Sequence, residues 1–248
     1  MAFNKSVEVE QTTQNISTPA TKTANVYVSV GNYKKNDENL TIVGFGSLKP
    51  YEKDGKLNEP SARDALYKLS QIKNFLDATD ATKVGVNLKG TNEKNQNIYM
   101  RADFDYKTGV SKEGKAYGFN KIYITLQPKT NNSNEIATQT QRLYATKGQN
   151  GYSFDNNCDE RLIKEFNDTI KKGVEFTLSA THEQTLKNYP KLNETIEQIR
   201  GSSASFNIGF VKEKGAIIIG FTPTDKSGKV GEQKLINTAT QKSKDRDR

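Results

Sequence analysis

Two aspartates two residues apart, Asp103 and Asp105, are the residues whose type and spacing come nearest to catalysis. In an extended strand alternate side chains share a face, so both carboxylates would point the same way, as a metal-dependent nuclease requires. Tyr99 and Arg101 fall on that same face, and no Glu or His in the adjoining strands completes a ligand set. A solvated strand face explains the pair better. The Gly44-Phe45-Gly46-Ser47 segment lies beyond an intervening helix and strand, too far along the chain to join them, and its glycines read as relaxing a strand end. With one His and one Cys in 248 residues, no closed zinc site of His and Cys ligands can form. His182 reads as a cap or an exposed side chain at a helix start. Cys158 would need His182 brought to it by the fold before it could act as a nucleophile. No GxxxxGK[ST] loop is present to cradle a nucleotide phosphate. The expectation is a non-enzyme with neither metal nor cofactor.

A different chemistry is spelled by rings and cations. Lys plus Arg number 37 against 29 Asp plus Glu, a net charge of +8 that favours encounter with polyanions. Sorting the strand-like segments by their period of two places Val26, Val28, Val30, Val84, Val86, Leu88, Ile98, Met100, Phe104, Ile122, Ile124 and Leu126 on an inner, aliphatic face. The opposite face then carries Tyr27, Lys83, Lys89, Tyr99, Arg101, Phe119, Lys121 and Tyr123. Rings on which bases stack, interleaved with cations that meet phosphates, are what a single nucleic-acid strand needs. Lys115 and Tyr117, in the segment leading to Phe119, extend the same mixture and read as a loop that folds over a bound strand. The opposing structural reading is that Tyr is a good strand residue and Tyr–Lys pairs stabilise sheets without any ligand, with the C-terminal block packed over the face.

The elements that would position these residues are legible in outline. Residues 1 to about 23 read as a polar, flexible N-terminal arm with no apolar core of a secretory signal. From 24 to 130 the chain reads as a β-rich block: a hairpin of Val26–Val30 with Leu40–Ser47, a helix opened by Pro60, and strands at Lys83–Lys89, Asn97–Tyr106 and Phe119–Gln127. Residues 131–157, rich in Asn, Gln, Thr and Gly, read as a linker or loop. From 158 to 222 a helix over Cys158–Lys172, a strand over Val174–Leu178, a helical stretch broken at Pro190 and a closing hairpin suggest an α+β block. Residues 223–248 read as a flexible basic tail, with Lys242, Lys244, Arg246 and Arg248 as a partner-binding hook. The expected class is α+β with a mainly antiparallel sheet. Five strands and one helix in the first block match an oligonucleotide-binding barrel in number, although the helix follows the second strand instead of the third. A different antiparallel α+β arrangement is the alternative.

In the alternation of Tyr and Phe with Lys and Arg in NIYMRADFDY and NKIYITLQPK, the lack of Trp, and the charged end KSKDRDR, the chain resembles the single-stranded DNA-binding proteins of bacteriophages, most of all the N4 type. That resemblance implies coating of single strands in replication and recombination, and contact of the tail with host RNA polymerase or replication proteins. The net basic tail departs from the acidic tail of many such proteins. Expected partners are therefore single-stranded DNA or RNA and a host protein, in a cytoplasm, with no membrane. The rival readings are a protein-interaction module that inhibits or recruits a host complex, and a nuclease built on Asp103 and Asp105.

Overall fold

The computed structural model describes residues 23–35, 38–127, 141–179, 183–211 and 214–235. The elements run β1 (Thr23–Lys35), β2 (Glu38–Leu48), β3 (Tyr51–Lys53), β4 (Lys56–Asn58), α1 (Ala62–Ala78), β5 (Val86–Thr91), β6 (Asn97–Val110), β7 (Ala116–Gln127), β8 (Gln141–Gly148), β9 (Gly151–Phe154), α2 (Glu160–Lys172), β10 (Val174–Leu178), α3 (Glu183–Leu186), α4 (Pro190–Glu197), β11 (Ser203–Val211), β12 (Gly215–Thr224) and β13 (Lys234–Leu235). The class is α+β with an antiparallel sheet, as the sequence indicates. Eleven strands form that sheet in the order β13-β12-β11-β1-β2-β10-β5-β6-β7-β8-β9, and β3 and β4 form a separate two-stranded hairpin.

Local chemistry accounts for the helices. Ser61 and Asp64 form a reciprocal capping box at the start of α1, with the Ser61 amide donating to Asp64 Oδ2 at 2.8 Å. At its far end the Thr79 hydroxyl donates to the Phe75 carbonyl at 2.9 Å. Asp159 caps α2 by accepting from the Arg161 amide at 2.9 Å, and Gly173, at φ 110°, ends it where an L side chain would be strained. Both helices bury one face on the inner side of the sheet. The Phe75 ring of α1 meets Phe45 of β2 and Phe206 of β11 edge-on, at 5.8 and 5.2 Å, while Phe166 of α2 meets Phe154 of β9 at 5.5 Å. The inner residues expected from alternation form part of this core: Val26, Val28, Val30, Val84, Val86, Leu88, Met100, Ile122, Ile124 and Leu126 are buried, with Ile98 and Phe104 partly so.

Helix α1 also explains why the sheet is open. It lies against β12, β11 and β1 on one side and against β9 on the other, so the two ends of the sheet curve toward each other around it. Helix packing, not a further ladder, bridges those ends. Among the described residues no barrel closes, and the oligonucleotide-binding barrel expected as one alternative gives way to a curved open sheet.

Three other expectations are corrected. Residues 131–157 are not simply a linker: Gln141–Gly148 and Gly151–Phe154 are strands that extend the sheet by a hairpin, with Leu143 and Ala145 fully buried. The segment 107–121 is not a loop, because β6 and β7 continue in register from Tyr99↔Gln127 to Val110↔Ala116 around a turn at 111–115. Pro223–Leu235 is ordered, not a free tail: Thr224 bridges Val230, and Lys234 and Leu235 pair with β12. The 24–130 and 158–222 blocks contribute to the same sheet, since β10 pairs with both β2 and β5 and β11 pairs with β1. The arm before Thr23 and the tail residues Lys242, Lys244, Arg246 and Arg248 lie outside the described residues.

Candidate nucleic-acid interface

The outer face of β5–β8 collects most of the expected side chains. Register aligns Lys89 with Tyr99, Asn87 with Arg101, Arg101 with Thr125, and Asp103 with Tyr123. Along β7, Tyr117, Phe119, Lys121 and Tyr123 occupy alternate positions and therefore one face. The Tyr117 and Phe119 rings lie parallel, with centroids 5.6 Å apart and an interplanar angle of 6°. Lys121 Nζ stands 5.4 Å from the Phe119 centroid. The helices occupy the other side of the sheet, so Tyr99, Arg101, Phe119, Lys121 and Tyr123 remain partly solvent-accessible and Lys89 and Tyr117 exposed.

Two residues that the sequence reading noted as repeating the aromatic–basic mixture, but left in the linker, join this face from a strand. On β8, Tyr144 meets Tyr123 edge-on at 5.4 Å, and the Arg142 guanidinium lies 6.0 Å from the Tyr123 centroid while its Nε donates to Thr125 Oγ1 at 3.3 Å. The signal was present: Arg142, Tyr144 and Thr146 alternate with Leu143 and Ala145, the same period of two found in β7. Polar neighbours on either side masked it.

Three other expected residues stand apart. Tyr27, 42% exposed, sits on β1, four strands from β6 in the sheet order, or about 19 Å at the usual strand spacing. Lys83 precedes β5 in a turn and belongs to no strand face. Lys115 closes the β6–β7 turn, where its amide donates to Ser111 Oγ at 3.2 Å.

Electrostatics on this face differ from the sequence expectation. Arg101 is forked onto Asp103, with Nε donating to Oδ1 at 2.9 Å and a terminal nitrogen at 2.8 Å from the same oxygen. Lys107 pairs with Asp105 at 2.8 Å, and that hydrogen bond holds the Asp105 carboxyl below its ordinary value. Lys121 pairs with Asp155 at 2.7 Å, a hydrogen bond that raises the lysine above its ordinary value. Asp155 also accepts from the Thr146 hydroxyl of β8 at 2.6 Å, so that both β7 and β8 are tied to the loop after β9. The aspartates expected as a rival metal pair are thus each engaged by a cation, and the described residues include no group of three or more His, Cys, Asp or Glu placed to hold a metal.

Cys158 is buried, and its thiol donates to the Tyr144 carbonyl at 3.4 Å while accepting from the Tyr144 amide at 3.3 Å. It pins the start of α2 to β8 from the inner side. His182 lies outside the described residues.

No helix among the described residues is long and apolar enough to cross a membrane. Comparison with protein-family models, with curated proteins and with solved structures found no match to this chain.

Proposed function

We propose that this protein binds single-stranded nucleic acid, DNA in the first instance, along the outer face of β5–β8, and that it does so without catalysis. The observation that carries the reading is the continuous row of Tyr117, Phe119, Lys121 and Tyr123 along β7, joined by Tyr144 and Arg142 on β8 and by Tyr99 and Arg101 on β6. Each base stacked on such a ring contributes on the order of 1–3 kcal/mol, and the ring faces tolerate any base. Cations set between the rings meet the phosphates that a stacked strand carries past them. The likeness of NIYMRADFDY and NKIYITLQPK to phage single-stranded DNA-binding proteins supports the same reading, with replication, recombination or transcription of a phage or plasmid genome as its setting and a host polymerase or replication protein as a further partner.

The test is fluorescence anisotropy with labelled single- and double-stranded DNA of equal length, repeated over a salt series. Preferential binding of the single strand, weakening steeply with salt, is expected. Equal binding of both forms, or none, overturns the proposal.

A further inference from the structure

Several cations of the ring row are already paired, and a group of unpaired ones lies beyond one end of it. Arg101, Lys107 and Lys121 each face a carboxylate, whereas Lys49, Lys89 and Lys172 have no carboxylate within ion-pairing distance among the described residues. These three lysines line one open cleft of about 440 Å³, together with Thr91, Asn97 and Glu175. The topology brings them together. Insertion of β10 between β2 and β5 sets Val174 opposite both Leu48 and Gly90, so Lys49 follows one flanking strand, Lys89 lies on the other, and Lys172 ends the helix that leads into β10. Lys172 Nζ donates to the Asn92 carbonyl at 2.8 Å, which leaves its ammonium two N–H groups to donate elsewhere.

Three ammonium groups against the single carboxylate of Glu175 leave the cleft with a net charge of +2, and Thr91 and Asn97 add neutral donors. Lysine clusters of this kind bind phosphate as point charges. Lys89 pairs in register with Tyr99, so the cleft opens at the end of the ring row opposite the β6–β7 turn. We infer that the cleft of Lys49, Lys89 and Lys172 is a phosphate subsite that anchors the nucleic-acid strand lying along the rings. Its ligand rests on the strand-binding reading above; the site itself does not. A terminal phosphate monoester and an internal phosphodiester share the required chemistry.

The experiment compares the parent with a Lys49→Gln/Lys172→Gln double variant, which leaves the ring face intact. Single-stranded oligonucleotides of one sequence, with a 5′-phosphate, a 3′-phosphate or neither, are bound over a salt series. In parallel, inorganic phosphate is titrated while lysine side-chain ammonium signals are followed by NMR. Each lost phosphate contact makes the salt dependence shallower by about 0.7, or about 2.6-fold in relative affinity between 50 and 200 mM salt. A shallower slope for all three oligonucleotides supports anchoring through an internal diester, and one confined to a phosphorylated end supports a monoester. A slope equal to the parent's overturns the anchoring role, whatever inorganic phosphate does. If no oligonucleotide binds while phosphate shifts the Lys49, Lys89 and Lys172 signals, the phosphate site stands and the ring-row reading falls. If neither binds, both fall.

Discussion

Replacing Asp103 by asparagine is expected to strengthen the binding of single strands, although Asp103 lies in the middle of the proposed interface. In the free protein its carboxylate holds the Arg101 guanidinium through contacts of 2.8 and 2.9 Å, so a phosphate must compete with it. Asparagine keeps the shape and one carbonyl acceptor but removes the charge. The side chains are 41% and 38% exposed, so water and salt screen the pair and its loss costs at most about 1 kcal/mol. For a chain of this length that is a fall in melting temperature of no more than about 4 °C. The gain appears in binding. One additional arginine–phosphate contact steepens the dependence of log K on log salt by about 0.7, so the ratio of affinities at 50 and 200 mM salt grows about 2.6-fold over the parent. Anisotropy titrations with a single-stranded oligonucleotide across that range measure the slope, and thermal melts measure the stability. A slope equal to or shallower than the parent's, with the fold intact, would refute the placement of Arg101 against phosphate.

Three further outcomes test the reasoning at other positions. Tyr123→Ala is expected to weaken single-strand binding by about 1–3 kcal/mol, whereas Tyr123→Phe, which keeps the ring, stays near the parent; equal losses in titrations of the two variants would exclude stacking. Gly118→Val should loosen the far end of the β6–β7 hairpin, because the Tyr106 ring lies over Gly118 and a Cβ there would fall 2.5 Å from Tyr106 Cζ. The cost of such overpacking is about 1–3 kcal/mol, and hydrogen exchange at residues 107–118 should quicken relative to the rest of β6 and β7. At Asp64, hydrogen bonds from Ser61 hold the carboxyl below its ordinary value, so its stabilisation is present above the unfolded value of 3.8 and disappears as pH falls through the lower folded one. Asp64→Ala should therefore be less stable than the parent near neutrality, by the ~1 kcal/mol of a helix cap, with melting temperatures that converge in acid; a gap that persists undiminished at low pH would contradict that assignment.

Much of the inner face was legible because it rests on local periodicity. Val26, Val28 and Val30, or Ile122, Ile124 and Leu126, declare a strand and its buried side without reference to any other part of the chain. The β8–β9 hairpin was not, because its polar and glycine residues read as a loop, and its place in the sheet comes from a ladder to β7 with Leu143 and Ala145 buried on the inner side. Alternation likewise placed Tyr99, Arg101 and Tyr123 on one face, but it carried no information about their neighbours in space. The pairing of Lys121 with Asp155 spans 34 residues. Tyr27 was assigned to the correct kind of strand position and to the wrong neighbourhood, since strand order across a sheet is set by tertiary packing and not by period.

The position of β10 has a consequence for how the chain comes to be assembled. Residues 174–178 fill the seam between β2 and β5, which have no ladder to each other. A nascent chain that has emerged only as far as β9 holds two half-sheets with facing, unsatisfied edges, and such edges are templates for intermolecular pairing. The sheet can be sealed only after Val174–Leu178 has been synthesised. Premature termination upstream of Val174 should therefore yield aggregating fragments instead of a smaller working protein, and the phosphate cleft, whose walls are the seam itself, would be absent from every one of them.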